Sequence, residues 1–73
     1  MEGYQDTRES RRFYLKQRLG INELWRKAKE HAREILGADT ELILRDFGED
    51  GGLYYVLFAD RSENQYRYYC ERK

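Results

Sequence analysis

Apolar residues at Ile21, Leu24, Trp25, Ala28, Ala32, Ile35 and Leu36 recur at helical spacing, with Glu and Lys/Arg filling the other side. A helix with one such stripe has a single surface to bury, and the fold must supply something to cover it. Asn22 reads as the N-cap, with Ile21 before it and Glu23 in the first turn, where a carboxylate suits the helix dipole. The pairs Glu23 with Lys27 and Arg26 with Glu30 give weak surface support. Gly37 provides the stop. Past Ala38-Asp39-Thr40 the rhythm changes: Glu41 to Phe47, Leu53 to Ala59 and Tyr66 to Glu71 read as strands. The turns between them are Gly48-Glu49-Asp50-Gly51-Gly52 and Asp60 to Gln65.

Residues 1–10 are polar and lack an apolar pattern, so they are expected to be a flexible N-terminal tail, with one α+β domain over 11–73. A chain this short supports one thin core, and two layers are the simplest way to build it. Arg11 to Leu19 can be read two ways. As a strand, Phe13, Leu15, Gln17 and Leu19 point one way and Arg12, Tyr14, Lys16 and Arg18 the other. As a helix, it would be capped by Asp6 and Glu9 and ended by Gly20, but it would bury only Leu15 and Leu19. Alternation favours the strand. The expected fold is therefore α+β in the order β-α-β-β-β, with the helix packed on one face of an antiparallel sheet; the alternative order is α-α-β-β-β.

Chemistry-bearing residues are few. His31 and Cys70 fall in different elements, where the first reads as a structural histidine at the edge of the stripe and the second as a small apolar residue facing the helix. The acidic turn at Glu49-Asp50 lacks the ligand spacing of a calcium loop. One Cys and one His cannot build a zinc site, so no cofactor, no metal and no enzyme activity are expected. The lone cysteine excludes an internal disulfide, and neither an eighteen-residue apolar run nor a leader pattern is found. These features point to the cytoplasm and away from a membrane.

The charges cancel, fourteen acidic against fourteen basic, but they are segregated. Arg8, Arg11, Arg12, Lys16 and Arg18 stand against Glu9 alone, whereas Asp39, Glu41, Asp46, Glu49 and Asp50 stand against Arg45. Such a dipolar surface can steer a charged partner. Seven tyrosines, five of them in the last two strands, exceed what a one-helix core is expected to use. If Leu53, Tyr55 and Leu57 face the helix, the open side collects Tyr54, Val56 and Phe58. Arg12, Tyr14, Lys16, Arg18, Tyr54, Arg67 and Tyr69 are then the candidate partner-binding residues, because Tyr and Arg suit a surface that is wet when free and covered when bound.

Two resemblances accompany this reading. Leu19-Gly20-Ile21-Asn22 followed by Leu24, Trp25, Arg26 and Lys27 resembles the turn of a DNA-binding helix-turn-helix. Lys16, Arg26 and Lys29 stand where that family places a small residue and two apolar ones, so the helix would point charges into its own core. Ala28 to Gly37, Gly52-Leu53-Tyr54-Tyr55 and Tyr66-Arg67-Tyr68-Tyr69-Cys70 resemble, in order, small phage-encoded anti-CRISPR and accessory proteins. That resemblance implies a stoichiometric inhibitor docking on a host protein or ribonucleoprotein complex through its sheet and turns. A non-enzymatic protein-binding module is thus expected. Single-stranded nucleic-acid binding through Tyr14, Tyr54 and Tyr69 with Arg12, Lys16, Arg18 and Arg67 is the alternative, and pairing of two open sides in a homodimer stays open.

Overall fold

The computed structural model describes residues 10–73; the expected tail lies outside the described residues apart from Ser10, which opens the first strand. The order is β1 (Ser10–Leu19), α1 (Ile21–Leu36), β2 (Ile43–Asp50), β3 (Leu53–Ala59) and β4 (Gln65–Arg72). The four strands form one sheet in the order β1-β4-β3-β2. The ambiguous segment is a strand, and β2, β3 and β4 form an antiparallel meander.

The sheet as a whole is mixed, which corrects the expectation of an antiparallel one: β1 pairs with β4 in parallel. The reason is topological. Sixteen helical residues carry the chain about 24 Å back along the sheet, so β2 must run in the direction of β1. Two hairpins then invert the chain twice. β4 therefore runs with β1, and two neighbours running the same way pair in parallel.

The helix begins at Ile21 rather than after Asn22. Gly20 is the N-cap, and its N–H donates to Glu23 Oε1 at 3.0 Å, so the side chain that the sequence placed in the first turn reaches back to close the helix start. That bond, with Lys73 nearby, holds the Glu23 carboxyl below its ordinary pKa. At the other end Gly37 (φ 119°) donates its N–H to the Arg33 carbonyl. Gly51 and Gly52 both have positive φ, as a two-residue type I′ hairpin requires, and Asp50 stands opposite Leu53 across it.

The core lies between α1 and one face of the sheet. Leu24, Ala28 and Ala32 of the helix are fully buried, and beneath them sit Val56, Phe58, Tyr66, Tyr68 and Cys70. Small helix residues against large sheet residues explain the packing, because Ala28 and Ala32 let the helix approach closely while the rings fill the space. Tyr68 stacks on Phe13 (4.6 Å between ring centroids) and on Phe58 (5.5 Å), and Trp25 tilts onto Phe58 at 5.1 Å. Each buried phenol keeps a polar partner: the Tyr66 hydroxyl donates to Asp60 Oδ2 at 2.9 Å, and the Tyr68 hydroxyl shares a hydrogen bond with His31 Nδ1. Burial raises the Tyr68 pKa to about 12.

The registers also correct the assignment of faces on β3. Tyr54 stands opposite Cys70, Val56 opposite Tyr68 and Phe58 opposite Tyr66, so Tyr54, Val56 and Phe58 face the helix. Leu53, Tyr55 and Leu57 face the open side. Three of the five C-terminal tyrosines, Tyr54, Tyr66 and Tyr68, are thereby taken up on the core side.

Candidate binding surface

The open face of the sheet is built in rows. The registers place Arg12, Arg67, Leu57 and Asp46 side by side on successive strands, then Tyr14, Tyr69, Tyr55 and Gly48, then Arg18, Glu71, Leu53 and Asp50. β1 leaves register between Tyr14 and Arg18, and Lys16 lies in that irregular stretch, beside a shallow depression bordered by Tyr14, Arg18 and Glu71.

The middle row is a ladder of phenol rings. Tyr14 stacks on Tyr69 (4.9 Å, interplanar angle 14°), and Tyr55 lies 6.2 Å from Tyr69 on its other side. Tyr69 is only 7% exposed although no helix covers this face, because its neighbours shield it; Tyr14 at the margin is 63% exposed. Tyr55 closes over Gly48, where a Cβ would lie 3.5 Å from the Tyr55 ring, at ordinary van der Waals distance. The Tyr55 hydroxyl donates to Asp46 Oδ2 at 2.9 Å, a bond that raises the tyrosine's pKa.

Arg67 ties this row to the next. Its Nη1 donates to the Tyr69 hydroxyl (3.3 Å), and its guanidinium lies 5.5 Å from the centre of the Tyr55 ring. The bond to Tyr69 raises the Arg67 pKa further. Arg12 stands opposite Arg67 on β1, and its side chain has no hydrogen bond or ion pair among the described residues. Arg18 forms an ion pair with Glu71 at 3.4 Å.

Six of the seven residues read from the sequence therefore belong to β1 and β4 around this face, and the seventh does not. Tyr54 is half-buried on the helix side, packed against the core, and Tyr55 holds the place assigned to it. Tyr55, Leu57 and Asp46 were missed for the same reason. The pairing rule that finds them is the parity of the Asp60–Asn64 turn, since five residues between paired ends keep odd residues opposite odd ones.

Comparison with protein-family models, curated proteins and solved structures finds no match. His31 is engaged with Tyr68, and the Cys70 thiol lies 3.8 Å from the Leu19 carbonyl, with its pKa raised by burial. No cluster of His, Cys, Asp or Glu able to hold a metal ion occurs among the described residues. No helix among them is long and apolar enough to cross a membrane.

A second exposed apolar feature lies on the helix side. α1 crosses β3 and β4 and reaches β1, leaving β2 largely uncovered, so Phe47 is 58% exposed beside a groove formed with Ile21, Trp25, Leu44 and Val56. The strand edge here is blunted. A bulge at Arg45 interrupts the ladder, and the Phe47 N–H donates to Oδ1 of the adjacent Asp46 at 2.9 Å. Both devices discourage the addition of another strand.

Proposed function

We propose that this chain is a non-enzymatic protein-binding module that captures its partner on the open sheet face, through Tyr14, Tyr55, Arg12, Arg67 and the Lys16–Arg18 rim. The observation that carries the reading is the Tyr14–Tyr69–Tyr55 ladder clamped by Arg67. Its rings are already ordered by one another, so a partner that covers them immobilises little that was free. Tyr and Arg are the residue types that dominate interface hot spots.

Docking onto a host protein or ribonucleoprotein complex, as a stoichiometric inhibitor of the anti-CRISPR kind, is the finer proposal, and the sequence resemblance alone motivates it. Single-stranded nucleic acid is the weaker reading. Base stacking needs open ring faces, whereas Tyr69 is covered by Tyr14 and one face of Tyr55 by Arg67. Asp46, Asp50 and Glu71 also share the face with the basic residues, which weakens its attraction for a polyanion.

The test is affinity capture of the tagged chain from its native lysate, with and without nuclease and at two salt concentrations. Capture that resists nuclease and weakens modestly with salt is expected. Replacing Arg12 and Tyr14 by Ala should weaken capture at least about 30-fold while leaving the helical circular-dichroism signal intact. Capture that disappears with nuclease, or that falls steeply with salt, would transfer the face to nucleic acid.

A further inference from the structure

We infer that in the free protein the open face is covered by a second copy of the same chain, the two sheets packing face to face about a two-fold axis parallel to the strands. This inference rests on the reading of that face as a binding surface and names the partner it meets first. On the first row two guanidinium groups, Arg12 and Arg67, stand abreast on neighbouring strands, a placement that is unfavourable unless an anion joins them. The acid of that row, Asp46, lies three strands away on β2, about 14 Å distant. Arg18 and Asp50 occupy the two ends of the third row in the same sense.

The face is therefore basic along β1 and acidic along β2, and between them the Tyr69–Tyr55 pair is flanked by Arg67 with Leu57 on one row and by Glu71, which also pairs with Arg18, with Leu53 on the other. A partner must present acid over β1, rings over β4 and β3, and base over β2. The chain itself has that pattern. Because the strand order is β1-β4-β3-β2, a two-fold axis running along the strands between β4 and β3 lays β1 over the partner's β2 and preserves the rows. Arg12 then meets the partner's Asp46, Arg18 the partner's Asp50, and the exposed Tyr14 the partner's Tyr55 where that ring lies over Gly48.

Aligned sheets cross at about 30°, which displaces the outer rows by about one residue, within the reach of an arginine across a sheet spacing of about 10 Å. Each face measures about 20 by 23 Å, so pairing buries about 900 Å² in all, at the small end for a specific interface. The dimer is accordingly a reversible one, and a heterologous partner reaches the face by displacing the second copy. The helix-side groove is not the meeting place in this arrangement, because its edge is capped by the Arg45 bulge and by Asp46.

Sedimentation of the full chain over a range of concentrations tests this. The unaltered protein should show a monomer–dimer equilibrium that weakens with salt. Arg12→Glu and Asp46→Lys should each raise the dissociation constant at least about tenfold, since each turns both rim contacts repulsive. An equimolar mixture of the two variants should sediment as a dimer again, because each then supplies the charge that the other lacks. Should Asp46→Lys lose its helical signal, Arg18→Glu mixed with Asp50→Lys makes the same exchange on the third row.

A monomer at every concentration overturns the inference, as does a dimer indifferent to all four substitutions or a mixture that stays monomeric. Failure of the binding reading looks different: lysate capture then survives Arg12→Ala with Tyr14→Ala at full strength. A monomeric chain whose capture is lost with those two residues overturns the pairing alone.

Discussion

The two faces of this sheet use the same residue type for opposite ends. On the helix side Tyr54, Tyr66 and Tyr68 are shielded by α1, and on the open side Tyr14, Tyr55 and Tyr69 are shielded, where they are shielded at all, by one another. The difference follows from what stands opposite. Ala28 and Ala32 make the helix thin enough to admit rings beneath it, whereas nothing in the described chain faces the open side. A tyrosine's burial is thus set by the size of its neighbour across the layer rather than by its own hydropathy.

Adjacent residues of β3 offer the largest contrast. Phe58→Ala should cost about 3–5 kcal/mol in urea unfolding, because its ring contacts Trp25, Tyr66 and Tyr68 and nothing else can fill the void. Leu57→Ala, one residue earlier and on the other face, should cost less than half as much. Equal losses would mean that the open side is packed in solution even for the monomer. Next in size is the helix partner of those rings: Ala28→Leu should destabilise by about 1–3 kcal/mol through overpacking, since Ala28 has no exposed surface and the rings beneath cannot withdraw.

Alkali separates the faces by ionisation. Tyr68 is held neutral by burial, with its pKa raised to about 12 against an ordinary value near 10. The unfolded chain loses that proton first, so stability is fully retained below about pH 10 and declines as the pH rises from there through 12. A tyrosinate absorbance titration should show one phenol ionising last, together with loss of the helical signal. Tyr68→Phe should remove that late step, and a late step that persists in the variant would locate the protected phenol elsewhere.

Much of this was readable in the sequence, and each failure has its own local cause. The stripe of α1 and the alternation of β1 are periodic, so both elements were placed correctly. On β4 the charges Arg67 and Glu71 fix the outward face, and Tyr66, Tyr68 and Cys70 follow inward. β3 has no such marker: Leu53 to Ala59 is apolar at every position, so periodicity cannot orient it and only its pairing with β4 does. β2 is obscured by its bulge, which puts Leu44 and Phe47, three residues apart, on one face. The mixed sheet was implicit in the element order, because one crossover and two hairpins leave the first and last strands running together. The helix start moved from Asn22 to Gly20 because a Glu23 carboxylate reaching back does the work of a capping side chain.

The smallest contrast concerns two hydrogen bonds of equal length. The Tyr66 hydroxyl donates to Asp60 at the rim of the core, and the Tyr55 hydroxyl donates to Asp46 on the open face, both at 2.9 Å. Tyr66→Phe should cost about 1 kcal/mol, since a half-buried carboxylate loses one of its donors, while Tyr55→Phe should leave urea unfolding unchanged because water replaces the phenol. Acid sharpens the pair. Partial burial favours the neutral form of Asp60, but the donors Tyr66, Asn64 and Ser62 outweigh it and hold the pKa below the usual aspartate value. The stability that this depression confers is present above about pH 4, where the unfolded carboxyl is also ionised, and fades as the pH falls through the folded value. Tyr66→Phe should flatten that acid limb and Tyr55→Phe should not. An equal response from both variants would show that the open-face phenol is as well sheltered as the core one, which only a second layer over Tyr55 could explain.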